Sequence, residues 1–164
     1  MKMIVAVDKN WAIGKNGDLL IRIKQDLKRF KEMTTNNVII LGRKTLETFP
    51  NKKPLSNRIN IILTKNKNYN NIDAIICNDI ESAIIESKKF TDKEIFIVGG
   101  ASIYNAMIDK CDTIFVTKIN YEFQNADTFI ENLDNKKNWK ISKIEKTIYQ
   151  DNIAFNYITY KKIK

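Results

Sequence analysis

Val38-Ile39-Ile40-Leu41-Gly42-Arg43-Lys44-Thr45 is the stretch that decides the fold class. An unbroken aliphatic run of this length is a strand covered on both faces, as strands of a parallel sheet are. It ends at a glycine and passes at once into two cations and a hydroxyl at a helix start. The same grammar recurs in the apolar runs of residues 3–7, 59–63 and 95–98. Between them Ile23, Leu27, Phe30 and Thr34 repeat at helical spacing, as do Ile80, Ala83, Ile84 and Ser87 behind an Asp79 cap. A further helix is expected after Gly99-Gly100, with Ile103, Ala106 and Met107 turned inward.

The C-terminal third reads differently. Residues 113–119, 139–149 and 153–160 have strand composition with no long helix between them. Ile153, Phe155, Tyr157 and Thr159 alternate, and Gln150-Asp151-Asn152 suits a hairpin turn. The expected architecture is α/β: a single-domain, doubly wound mixed sheet over residues 1–164. It is mostly parallel, with antiparallel C-terminal edge strands and helices on both faces.

Composition narrows the chemistry. Hydrophobic residues are 43% and charged residues 29% of the 164 residues, a globular balance, and no apolar run reaches the roughly 18 residues of a membrane span. The N-terminal apolar run is too short for a signal peptide. Cys77 and Cys111 have no CxxC spacing and no His to complete a zinc set, so reduced structural thiols of a cytoplasmic protein are expected, and no metal. A net charge of +9 favours anionic partners, although the excess is mostly Lys scattered along the chain. With no His, acid–base work falls to Asp, Glu, Lys, Tyr or water.

One carboxylate stands out. Asp26 shares a helix face with Ile23, Leu27 and Phe30, and that face should pack on the sheet. Burial there raises a carboxyl pKa, which marks Asp26 as a candidate for chemistry; complementing the helix dipole is the alternative use. Gly42-Arg43-Lys44-Thr45 and Gly99-Gly100-Ala101-Ser102 both follow strands and both suit anions at helix starts. With Leu63-Thr64-Lys65 they outline a crevice along the strand ends, and two phosphate sites suit a dinucleotide. The loop of residues 10–20, with Trp11, Gly14 and Gly17, could be a lid or an ordinary surface turn.

Taken in order, these residues resemble dihydrofolate reductase. The matching pieces are Ala12-Ile13-Gly14 with Asp18-Leu19, then residues 26–31, 40–47, 54–64, 98–104 and 116–119. Asp127-Thr128-Phe129 resembles the family's segment that braces the active-site loop. The resemblance implies NADPH-dependent reduction of 7,8-dihydrofolate to tetrahydrofolate. Asp26 would be catalytic, anchoring the pterin and promoting its protonation, with Thr117 orienting it.

By the same resemblance Ile4 would offer a backbone carbonyl to the pterin. Leu27, Phe30, Phe49 and Val98 would wall the substrate, Arg58 would pair with its glutamate carboxylate, and Leu19 and Lys53 would complete this side. On the cofactor side Ala6 and Ile13 would meet the nicotinamide carboxamide, with Gly14, Asp18 and Leu19 in the loop above. Gly42, Arg43, Lys44 and Thr45 would take phosphates, and Leu63, Thr64 and Lys65 the adenosine 2′-phosphate region. Gly99, Gly100, Ala101, Ser102, Ile103 and Tyr104 would hold the pyrophosphate and nicotinamide, with a cis Gly99–Gly100 bond.

Leu20-Ile21 stands where the family usually has Pro-Trp, and Lys24 where it commonly has Pro two residues before the catalytic Asp. The Ile21 side chain has no N–H to order a water, so the acid side of the site should be drier. A pyrimidine reductase of riboflavin synthesis shares the fold and cofactor, but has no need of Arg58 for a glutamate tail. A basic nucleic-acid-binding module lacks both a motif and a single basic stripe. A monomer with dihydrofolate as its partner is expected, without nucleic acid or membrane.

Overall fold

In the computed structural model, which describes residues 1–163, the aliphatic runs are the central strands of one sheet. Lys164, the last residue of the expected domain, lies outside the described residues. In chain order the elements begin with β1 (Lys2–Val7), β2 (Ala12–Lys15), β3 (Asp18–Leu19), α1 (Lys24–Thr34), β4 (Val38–Gly42) and α2 (Arg43–Leu46). They continue with β5 (Ile59–Leu63), β6 (Ile75–Cys77), α3 (Ile80–Lys88), β7 (Ile95–Gly99), α4 (Ala101–Met107) and β8 (Thr113–Ile119). Then follow β9 (Thr128–Phe129), β10 (Trp139–Ile144), β11 (Ile148–Gln150) and β12 (Ile153–Lys162).

The nine-stranded main sheet runs β10-β12-β8-β1-β7-β4-β5-β6, with β11 paired to β12. From β8 to β6 every pair is parallel; β12 turns antiparallel against β8, and β10 and β11 against β12. Alternation along β1 feeds two cores. Met3, Val5 and Val7 pack with Ala83, Ile84 and Met107 of α3 and α4. Ile4 packs on the other face with Leu46, Phe30 and Met33 of α2 and α1. Helices therefore cover both faces of a mixed sheet, as expected.

Local signals hold where they have a physical cause. Asp79 caps α3, its carboxylate accepting the Ser82 N–H at 2.7 Å. Asp151 and Asn152, both at positive φ, make the tight β11–β12 turn, a conformation that Asn and Asp tolerate. Other expectations need correction. Residues 139–149 are not one strand: β10 ends at Ile144 and β11 begins at Ile148, although the Glu145 N–H still donates to Tyr157 O of β12 at 2.9 Å. Ala106 is exposed rather than inward, because α4 buries only Tyr104 and Met107. A second, three-stranded sheet, β3-β2-β9, was not legible as strands.

No helix among the described residues is long and apolar enough to cross a membrane. Cys77 and Cys111 are free and buried. Burial pushes the Cys111 thiol up to about 12, and the thiolate is the form that reacts. Cys111 in the folded protein should therefore resist iodoacetamide at pH 8 and alkylate fully once denatured, as peptide mass spectrometry would show.

Candidate active site

Strand pairing sets the floor of the site. Ala6, Thr117 and Tyr157 are direct partners across β1, β8 and β12, so their side chains share the face beneath α1. The first turn of α1 lowers Asp26 onto this row, and the Thr117 hydroxyl donates to Asp26 Oδ1 at 2.5 Å. Desolvation raises the Asp26 pKa, and the Thr117 hydrogen bond and the charge of Arg29 only partly oppose it.

The α1 face does not lie flat on the sheet as expected. Only Thr34 of the helix is buried, and Leu27 is 41% exposed. Asp26, Leu27 and Phe30 instead line a cleft of ≈ 490 Å³ opened between α1 and the strand ends. Ile4, Phe49 and Val98 stand opposite, and Ala6, Ile13, Leu19 and Tyr104 border the same space. An apolar hollow with a few convergent polar groups is the form small-molecule sites take.

At the far end is Arg58. Its Nε donates to Thr34 Oγ1 at 2.9 Å, Nη1 to Ser56 O at 2.7 Å, and Nη2 to Lys31 O at 3.4 Å. A guanidinium has five N–H donors, so one hydrogen on each terminal nitrogen stays uncommitted: a fork for a carboxylate. Tyr104 Oη donates to Ile4 O at 2.8 Å, which fixes that carbonyl at the edge of the cleft. Lys53 is exposed and does not border the cleft.

The cofactor candidates gather at the C-terminal ends of the adjacent strands β7, β4 and β5. The Gly99–Gly100 peptide is cis, and Gly99 has φ +121°, a conformation side chains rarely adopt. A Cβ on Gly100 would stand 3.1 Å from Thr45 Oγ1, and one on Gly42 would stand 3.3 Å from Ile103. Bare backbone thus forms a cradle between the β4 and β7 turns. Arg43 is paired with Glu47 at 2.5 Å, while Lys44 and Lys65 are exposed and carry no ion pair among the described residues. Leu63 is buried at the end of β5, Thr64 follows it, and Ala101 and Ser102 open α4; none of these four borders the cleft itself.

The loop over the site is tied down. Asp127 Oδ2 accepts the Asn16 N–H at 2.8 Å, and the Asp127 N–H donates to Gly14 O at 3.1 Å. Gly14 itself is packed so closely that a Cβ would lie 2.8 Å from Asp18 O. Asp18 caps the Leu19 N–H at 2.7 Å and pairs with Arg22 at 3.1 Å. The Asn16 N–H bond and the Thr128 hydroxyl lower the Asp127 pKa, so the brace is intact at neutral pH and is lost as Asp127 protonates on acidification. In Asp127→Ala, the Asn16 amide should exchange hydrogen at the rate of an open loop, read by NMR.

Leu20 and Ile21 also line the cleft. Ile21 packs with Ile23, Ile119 and Tyr157, which makes the side of the site next to Asp26 apolar. Sequence reasoning missed Arg29, Tyr157 and Ile119. Arg29 shares the Asp26 face at a spacing of three, but its stacking on Tyr157 is a tertiary contact that spacing does not report.

The family model described as dihydrofolate reductase matches residues 1–162. A curated dihydrofolate reductase from Staphylococcus haemolyticus is 38% identical over 96% of this chain and 91% of its own length. Another from Bacillus subtilis is 30% identical over 96% of this chain and 90% of its own. Among solved structures, a dihydrofolate reductase from Enterococcus faecalis complexed with NADP(H) and RAB-propyl superposes with a TM-score of 0.88. That pair is 30% identical, and the match covers 99% of this chain and 96% of the other. The crevice, the cradle and the lone carboxylate therefore sit in a chain that belongs to the dihydrofolate reductase family.

Proposed function

We infer that this chain catalyses NADPH-dependent reduction of 7,8-dihydrofolate to 5,6,7,8-tetrahydrofolate, which feeds one-carbon metabolism, and that Asp26 is its acidic centre. The observation that carries the residue assignment is the Asp26–Thr117 pair at one end of an apolar cleft with the Arg58 fork at the other. A carboxylate so held accepts two parallel hydrogen bonds from an amino-pyrimidine edge, and the dry walls strengthen them. Leu27, Phe30, Phe49 and Val98 exclude water from the ring, and the Ile4 carbonyl, set by Tyr104, takes a further amino hydrogen. Because burial raises the Asp26 pKa, the group retains a proton more readily than an exposed carboxyl and can promote proton delivery to the reduced ring.

NADPH, when bound, supplies the hydride. The Gly42–Gly100 cradle admits a pyrophosphate to bare backbone, with Thr45 beside it and Arg43 close by. Lys44 and Lys65 are cations free to take the 2′-phosphate, with Thr64 between strand and lysine; this favours NADPH over NADH. Ala6 and Ile13 border the inner end of the cleft, where the nicotinamide would lie.

A pyrimidine reductase of riboflavin synthesis is not favoured, since Arg58 opens a carboxylate fork onto the cleft. The chain works as a single domain and a monomer in the cytoplasm, on this reading. The test follows absorbance at 340 nm with purified protein, NADPH and dihydrofolate, with NADH as comparison. Turnover that an amino-pyrimidine antifolate blocks is expected; folded protein without turnover overturns the reading.

A further inference from the structure

Arg29 follows Asp26 by three residues on α1, a spacing that sets two side chains side by side. Its neighbour Lys28 is an ordinary surface cation, 77% exposed and 3.8 Å from Glu32. Arg29 is different: its side chain is 18% exposed. The guanidinium carbon lies 3.9 Å from the centroid of the Tyr157 ring and 5.9 Å from that of Phe115. Glu145 approaches Nη2 at 4.0 Å, too far for a hydrogen bond, and Nη1 is buried with no partner among the described residues. A cation this sparsely solvated, with one terminal nitrogen buried and unpaired, leaves more of its charge to act on its surroundings.

The register gives this placement a purpose. Thr117 and Tyr157 are direct partners on one face of the sheet; Asp26 rests on the first and Arg29 on the second. We propose that Arg29 is the positioning residue of Asp26: stacked on Tyr157 beside Glu145, its guanidinium seats the first turn of α1 and keeps the Asp26 carboxylate available to the pterin. This rests on Asp26 as the pterin anchor. Arg29 lowers the Asp26 pKa against the stronger effect of burial. The groups that face Asp26 are Thr117 from β8, Tyr157 from β12, Tyr104 from α4 and Arg29 from its own helix. Arg22, Lys31 and Arg58 line the same cleft, and Glu145 approaches from the segment after β10.

The test reads the Asp26 carboxyl directly, by ¹³C NMR titration of ligand-free protein carrying labelled aspartate, with the resonance assigned through Asp26→Asn. In Arg29→Met the midpoint should rise, by up to about one pH unit, as loss of a cation on the same helix face implies. Arg29→Lys, which keeps the charge, should recover most of that change. Glu145→Gln, which removes an opposing anion at a half-exposed position, should move the midpoint the other way. The acid-side midpoint of kcat/KM for dihydrofolate should follow each variant. An Arg29→Met midpoint equal to the parent's overturns the proposal; should that variant not fold, a Glu145→Gln midpoint that stays or rises overturns it. Absence of dihydrofolate turnover in the parent would strike the catalytic reading alone, because the carboxyl titration is read without substrate.

Discussion

Asp26→Asn is expected to lose about two to three orders of magnitude in kcat/KM for dihydrofolate at pH 7, the range associated with a single positioned acid–base group. Asn keeps an acceptor oxygen for the Thr117 hydroxyl, so the site should hold its shape. What disappears is the charge and the titratable proton. Solution protons can replace the second, so part of the deficit should be recovered as the assay moves from pH 7 toward pH 5. A variant equally active at every pH would exclude Asp26 from the reaction.

Stability should move the opposite way. The folded pKa of Asp26 is raised, so the folded state binds this proton more tightly than the unfolded chain does. Stability from that proton is full below the unfolded value and is lost as pH rises through the folded pKa. The Asn variant imitates the protonated form at every pH. Its Tm should exceed the parent's at pH 7, and the two should converge under acid. Function here opposes stability at a single residue, which thermal melts at two pH values would reveal.

The second large effect belongs to Arg58→Gln. Two uncommitted N–H groups on a cation are worth about 1.5–3 kcal/mol to a carboxylate, so KM for dihydrofolate should rise about 10- to 100-fold. The kcat should change little, since the contact is remote from the reacting ring. A reduced pterin without a glutamate tail should show almost no difference between parent and variant. Equal losses on both substrates would mean that Arg58 acts through Thr34, Ser56 and Lys31, which it also binds. Burial lowers the Arg58 pKa, but a guanidinium stays cationic at neutral pH.

How much of this was legible follows from what each segment rests on. Residues 38–41 and 95–98 read clearly because strands buried on both faces carry a continuous aliphatic signal. Residues 12–15, Ala-Ile-Gly-Lys, carry no such signal; they are a strand because β9 lies alongside. The break between β10 and β11 at 145–147, and the register shift between Ile141 and Lys143, are set by pairing with β12, which no local pattern contains. Within the site, Asp26 was conspicuous as a carboxylate among apolar neighbours. Arg29 was hidden by the same logic, because a cation on a helix reads as solvated until the ring beneath it is known. The α1 face was expected against the sheet, since spacing reports which residues share a face but not whether that face meets protein or a substrate.

β1 occupies the middle of the sheet, between β7 and β8. This strand, made early relative to its partners, finds them only at residues 95–99 and 113–119, and both of its edges stay unpaired until those emerge. Such non-local pairing makes folding slow relative to synthesis of local helices, and it makes nascent chains ending before residue 119 prone to associate through an open edge. The same strand carries Ile4 and Ala6 into the cleft, so this part of the cleft floor awaits residues 113–119.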